Sequence, residues 1–148
     1  MGGNDAQTLK AFTEAEAFDG PSIIVAYSPC IEHGYDLSGS VKQQKGAVDS
    51  AYWPLYRYDP RRIKEGKNPF QLDSKKPTLA LRDYLLGENR FSILTKGKDD
   101  AAVAAMHHAE KAIADRWAFY EKMAAEQTTA PKVDAAADMP AMVPAGAK

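Results

Sequence analysis

Gly20-Pro21-Ser22-Ile23-Ile24-Val25-Ala26-Tyr27-Ser28-Pro29-Cys30-Ile31-Glu32-His33-Gly34 is the stretch on which the reading of this chain turns. Its short apolar run is rich in β-branched residues and bounded by Gly-Pro and Ser-Pro, which predicts a strand buried on both faces, as in a parallel sheet. The only cysteine of the chain follows at once. Open α/β sheets bind ligands beyond the carboxyl ends of their strands, the position this reading gives to Cys30.

Upstream, Asn4-Asp5 can cap a helix whose apolar positions Leu9, Phe12 and Ala15 keep a 3.6-residue period to about Phe18, where Asp19-Gly20-Pro21 ends it. Helix, tight turn and buried strand make half of a βαβ unit, which requires parallel neighbour strands. No such neighbour is visible, so the strand feeding the helix is expected to lie upstream of Met1.

Downstream, Asp36 or Ser38 is a candidate cap for a second helix. Val41, Val48 and Tyr52 would face inward with Ala47 and Ala51 between them, Gln43, Gln44 and Lys45 would face water, and Pro54 stops it. Trp53 to Tyr58 alternates like a strand, Arg61 to Asn68 reads as a polar loop and Phe70-Gln71-Leu72 as a short strand, which together predict a small hairpin. Lys76-Pro77-Thr78, with Thr78 as candidate cap, opens a helix through Leu79, Leu81, Tyr84 and Leu85 to Gly87. A last helix is expected from about Asp99-Asp100 to Glu126, striped by Val103, Met106, Ile113, Trp117 and Tyr120. Its alanines favour helix but bury little area, so it should pack along a larger body. The expected organisation is one α/β unit over residues 1–126, incomplete on its N-terminal side, and a disordered Ala/Pro-rich tail over 127–148.

A net charge of −1 with interspersed signs provides no footprint for nucleic acid. Lys42, Lys45, Arg57, Arg61, Arg62, Lys64 and Lys67 make the middle locally basic, and without stacking aromatics or a glycine cradle they read as a solvated face. No apolar run approaches the roughly 20 residues of a membrane helix, and no signal peptide is visible, so a cytoplasmic protein is expected. A lone cysteine cannot form an internal disulfide, which suits a reducing compartment.

Cys30 admits three readings. It can be a buried core thiol, as free cysteines often are. It can be a nucleophile, with His33 three residues on and Glu32 beside it, although Cys-His pairs usually assemble from distant segments. It can be a metal ligand, but an iron-sulfur cluster held by four thiolates cannot be held by one cysteine, so Cys30 would complete a set supplied elsewhere. His107 and His108 are adjacent, about 100° apart on a helix, and should face solvent rather than pair on zinc. Arg57 and Asn68 could bind a ligand, with structural roles the preferred reading. No Ser-His-Asp set, catalytic carboxylate pair or phosphate-binding glycine loop is present.

The chain also resembles a known family. Gly20-Pro21-Ser22 with its apolar run and Cys30, then Ala47-Val48-Asp49-Ser50-Ala51-Tyr52-Trp53-Pro54-Leu55-Tyr56-Arg57-Tyr58-Asp59-Pro60 and Gly66-Lys67-Asn68-Pro69-Phe70-Gln71-Leu72-Asp73-Ser74, closely resemble the carboxyl-terminal part of pyruvate:ferredoxin (flavodoxin) oxidoreductases. Met1 to Thr8, Asn89-Arg90-Phe91 and the final helix are similar too, so the resemblance runs over about residues 1 to 126. It implies the end of a thiamine-diphosphate-binding domain with a β-hairpin insertion and a C-terminal helix. The parent enzymes decarboxylate pyruvate oxidatively with coenzyme A to acetyl-CoA and pass electrons through 4Fe-4S clusters to ferredoxin or flavodoxin, as homodimers.

By that resemblance Cys30 is the last of four thiolates on the cluster nearest thiamine diphosphate. The other three, the magnesium- and diphosphate-binding segment, and the pyruvate, coenzyme A and acceptor sites are absent from this chain. The 148 residues alone are therefore expected to be inactive without the missing part of the enzyme or partner subunits. Two alternatives remain open: a non-catalytic remnant or interaction module, and a Cys30/His33 thiol hydrolase.

Overall fold

A computed structural model describes residues 3–95 and 100–126. The order is α1 (Asp5–Glu16), two 3-10 turns (Ile31–His33 and Leu37–Gly39), α2 (Ser40–Asp49), β1 (Tyr56–Tyr58), α3 (Arg61–Lys64), β2 (Phe70–Leu72), α4 (Leu81–Leu86), α5 (Asn89–Thr95) and α6 (Asp100–Ala125). The predicted tail over 127–148 and the predicted Asp99 start of the last helix lie outside the described residues.

Local chemistry explains the elements that were foreseen. Asn4 caps α1, its side-chain oxygen accepting from the Gln7 amide at 3.1 Å. The hairpin forms as an antiparallel pair with Tyr56 opposite Leu72, Arg57 opposite Gln71 and Tyr58 opposite Phe70. One face of it carries Tyr56 and Phe70, and Tyr120 of α6 packs on both at ring separations of 5.1 and 5.8 Å. Asn68 ties the same pieces together, its amide donating to the Met123, Ala124 and Glu126 carbonyls. Those carbonyls at a helix end would otherwise lack partners.

The core is small: Ala47, Leu81, Tyr84 and Leu85, flanked by half-buried Tyr52, Trp53, Phe91, Met106 and Ile113. Gly46 lets α2 approach α4 closely, since a Cβ there would lie 3.3 Å from the Tyr84 ring. This approach rotates α2 from its predicted setting. Gln44 is buried and Val41 is 65% exposed, the reverse of the hydropathy pattern, because small side chains rather than large ones make the contact. At the end of α2, Ala51 takes a left-handed conformation (φ 56°), and Arg116 of α6 secures that corner by donating to the Ala51 and Tyr52 carbonyls.

Three further expectations are corrected. The helix after Pro77 starts at Leu81 behind Ala80, not behind a Thr78 cap, because the Thr78 and Leu79 amides are taken by the Asp49 carbonyl. The loop from Arg61 to Asn68 contains the one-turn helix α3. Most consequentially, the stretch predicted as a strand buried on both faces forms no strand and pairs with none among the described residues, with Ile23 89% and Val25 73% exposed. Burial of a parallel strand requires neighbours on each edge, and the only sheet among the described residues is β1–β2.

Candidate functional site

Cys30 follows this stretch and opens the first 3-10 turn. Its carbonyl accepts from the His33 amide and the Ile31 carbonyl from the Gly34 amide, each at 3.1 Å. Gly34 closes the turn at φ 74°, a conformation that costs other residues energy. The thiol is exposed, as is Ile31 at 73%, so the core-thiol reading does not hold.

Beneath this turn lies a buried polar network that the sequence reading missed. Glu88, 1% exposed, sits between α4 and α5. Its Oε1 accepts from the Tyr84 hydroxyl and from Gln43 Nε2, each at 3.0 Å, and its Oε2 from Arg90 Nε at 2.6 Å. Arg90 also donates to the Tyr27 hydroxyl at 2.7 Å, and the Tyr27 and Tyr84 hydroxyls lie 3.4 Å apart. Because Tyr84 gives its proton to Glu88, Tyr27 is the donor in that last, long link, so the hydrogen bonds run in one direction from Arg90 through both tyrosines to the carboxylate.

Burial raises the Tyr84 hydroxyl pKa first of all, with the bond to Tyr27 and the Glu88 charge adding to it, so this phenol stays protonated. Burial works against the Arg90 charge, and the Glu88 carboxylate more than offsets it, leaving the pKa raised. His33 stacks on Tyr27 at 5.9 Å, and its Nδ1 is 3.9 Å from Glu88 Oε2, too long for a hydrogen bond but close enough for electrostatic contact. A sequence signal existed in retrospect: Tyr84 and Glu88 stand four apart across the end of α4.

Among the described residues no side-chain hydrogen bond joins Cys30 to His33, whose ring is engaged with Tyr27 and Glu88. No group of three or more His, Cys, Asp or Glu side chains converges among the described residues, so Cys30 fits a metal only as one exposed thiolate in a shared set. His107 and His108 are exposed on α6 as expected. Arg57 and Asn68 are structural, the former clasping Asp73 and Glu14 and the latter capping α6.

An open apolar cleft of about 670 Å³ runs alongside, lined by Phe12 and Phe18 of the α1 region, Ile24, Val48, Trp53 and Tyr56. It continues the bare face of residues 21–25. No helix among the described residues is long and apolar enough to cross a membrane.

The Gly34 geometry makes a prediction about the turn itself. A Cβ at this position would lie 2.5 Å from the Cβ of Asn89, whose amide donates to the Gly34 carbonyl. Gly34→Ala combines backbone strain with this clash and is expected to cost about 2–3 kcal/mol. Denaturant unfolding of the two chains measures it, and an unchanged midpoint would contradict the packing.

No protein-family model matches the chain. Individual relatives do. A pyruvate-flavodoxin oxidoreductase of Trichormus variabilis is 49% identical over 129 residues, covering 87% of this chain and 11% of that protein. A pyruvate:ferredoxin oxidoreductase of Moorella thermoacetica is 47% identical over 124 residues, covering 84% of this chain and 11% of the relative. The mitochondrial pyruvate dehydrogenase (NADP+) of Euglena gracilis is 52% identical over 102 residues, 68% of this chain and 6% of the relative. The chain thus spans about a tenth or less of the length of these relatives.

Proposed function

Because this chain is homologous over about 85% of its length to a segment of the pyruvate-flavodoxin and pyruvate:ferredoxin oxidoreductases, we propose that it works as that segment within an assembled enzyme of the same kind. The reaction would be the oxidative decarboxylation of pyruvate with coenzyme A to acetyl-CoA, with electrons leaving to flavodoxin or ferredoxin. The single observation that carries this is the identity to enzymes so named. The bare apolar run at residues 21–25 supports it, since that face needs a covering body that the described residues do not supply.

Within this reading Cys30 contributes one thiolate to a 4Fe-4S cluster, which supplies one-electron transfer when bound. Thiamine diphosphate and magnesium would sit outside this chain, as would the pyruvate, coenzyme A and acceptor sites. The chain's own residues present the sulfur at the surface on a short turn, hold that turn against Glu88 and Arg90, and offer an apolar face to the remaining nine tenths of the enzyme.

The test is removal and return. Deleting the segment equivalent to residues 1–126 from the enzyme is expected to abolish pyruvate-dependent flavodoxin reduction, and adding the 148-residue chain in trans to restore it. Full activity of the deleted enzyme would sink the proposal.

A further inference from the structure

Glu88 gathers groups from four places in the chain: Gln43 of α2, Tyr84 of α4, Arg90 of α5, and, across 3.9 Å, His33 of the cysteine-bearing turn. Arg90 extends the same network to Tyr27, which precedes Cys30 by three residues and stacks on both His33 (5.9 Å) and Trp53 (5.2 Å). On the other side of the turn, the Asn89 amide donates to the Gly34 carbonyl at 3.2 Å. The residues flanking Cys30 are therefore gripped on both sides by the corner 88–90, while the exposed thiol itself takes no part.

We propose that Glu88 and Arg90 are positioning residues for the Cys30 thiolate, holding residues 27 to 34 in one conformation so that the sulfur is presented in a fixed direction. This rests on the reading of Cys30 as a cluster ligand. A carboxylate suits the task because it accepts from several donors at once, and a buried one left without its cation is costly, which couples the turn to α5 tightly. Surface hydrogen bonds could not do this, since water competes for each of them.

Two measurements test it. In the full 148-residue chain, Glu88→Gln keeps the shape and removes the charge. Amide exchange at His33, Gly34 and Asn89 is expected to accelerate by about tenfold, with exchange in the β1–β2 ladder unchanged within about twofold. Arg90→Lys, a milder change, should accelerate the same amides by less, and it decides the question if Glu88→Gln does not fold. Glu65→Gln, at an exposed position, should change none of them. Uniform acceleration throughout the chain, or none at the turn, overturns the proposal.

In the assembled enzyme, Glu88→Gln (or Arg90→Lys in its place) is expected to retain its iron but alter the electron paramagnetic resonance spectrum of a reduced cluster. An unaltered spectrum also overturns it. The two ideas fail separately: full iron content in Cys30→Ser would end the ligand reading and leave the exchange result standing. Unchanged exchange would end the positioning role and leave Cys30 as a ligand.

Discussion

Cys30→Ser, introduced into the assembled enzyme, is expected to lower pyruvate-dependent flavodoxin reduction at least ~100-fold and to remove about four iron atoms per chain. Replacing even an outer partner of a metal ligand commonly costs ten- to a hundredfold, and exchange of a soft thiolate for a hard hydroxyl at the ligand itself should cost more. The substitution is clean because the thiol is exposed and holds nothing in the fold. Unfolding of the chain should therefore move by no more than about 0.5 kcal/mol. Iron and acid-labile sulfide per chain give the direct readout, and wild-type content in the variant would end the reading of Cys30 as a cluster ligand.

Arg57→Met is expected to destabilise the chain by about 2–3 kcal/mol. The Arg57 side chain, 8% exposed, is bound through Nε (2.7 Å) and Nη2 (2.8 Å) to the two oxygens of Asp73 and through Nη1 to Glu14. Gln7 donates to Asp73 as well, so a single clasp joins α1, β1 and the segment after β2. Methionine fills much of the volume but strands two carboxylates. Asp73 is 17% and Glu14 32% exposed, so water relieves part of the penalty, which keeps the loss below that of a fully buried pair.

The effect has a definite pH dependence. Burial pushes the Asp73 carboxyl pKa up, but the hydrogen bonds from Arg57 and Gln7 outweigh it and leave the folded value below the ordinary one for aspartate. A depressed folded pKa means stability that is present above the unfolded value of about 3.9 and is lost as pH falls through the folded value. In Arg57→Met the Arg57 contribution is gone and the Gln7 hydrogen bond still opposes burial. The gap between the two chains, read by urea unfolding, should be full at neutral pH and narrow as pH falls below about 4. A gap independent of pH would place the lost energy in packing instead.

What the sequence made legible is what depends on near neighbours. The Asn4 cap and the long alanine-rich α6 follow from residues within a few positions of one another and stand as read, and the hairpin forms with its first strand shortened from the expected Trp53–Tyr58 to Tyr56–Tyr58. Features that depend on distant partners were misread. Val41 and Gln44 exchange places because Gly46 and Ala47 admit Tyr84, a residue of another helix. Ile23 and Val25 have the composition of a buried strand, yet composition does not supply the strands on either side.

The candidate site divides the same way. Cys30 drew attention as the only cysteine at the end of an apolar run. Glu88 and Arg90 did not, since charged residues at the end of a short helix usually face water. Their burial becomes evident only once α2, α4 and α5 are packed together.

The bare run at residues 21–25 carries no charge, and only Pro21 guards it. Two copies meeting along it collide at a rate that rises with the square of their concentration, so self-association through this face grows faster than the amount of chain present and recedes on dilution.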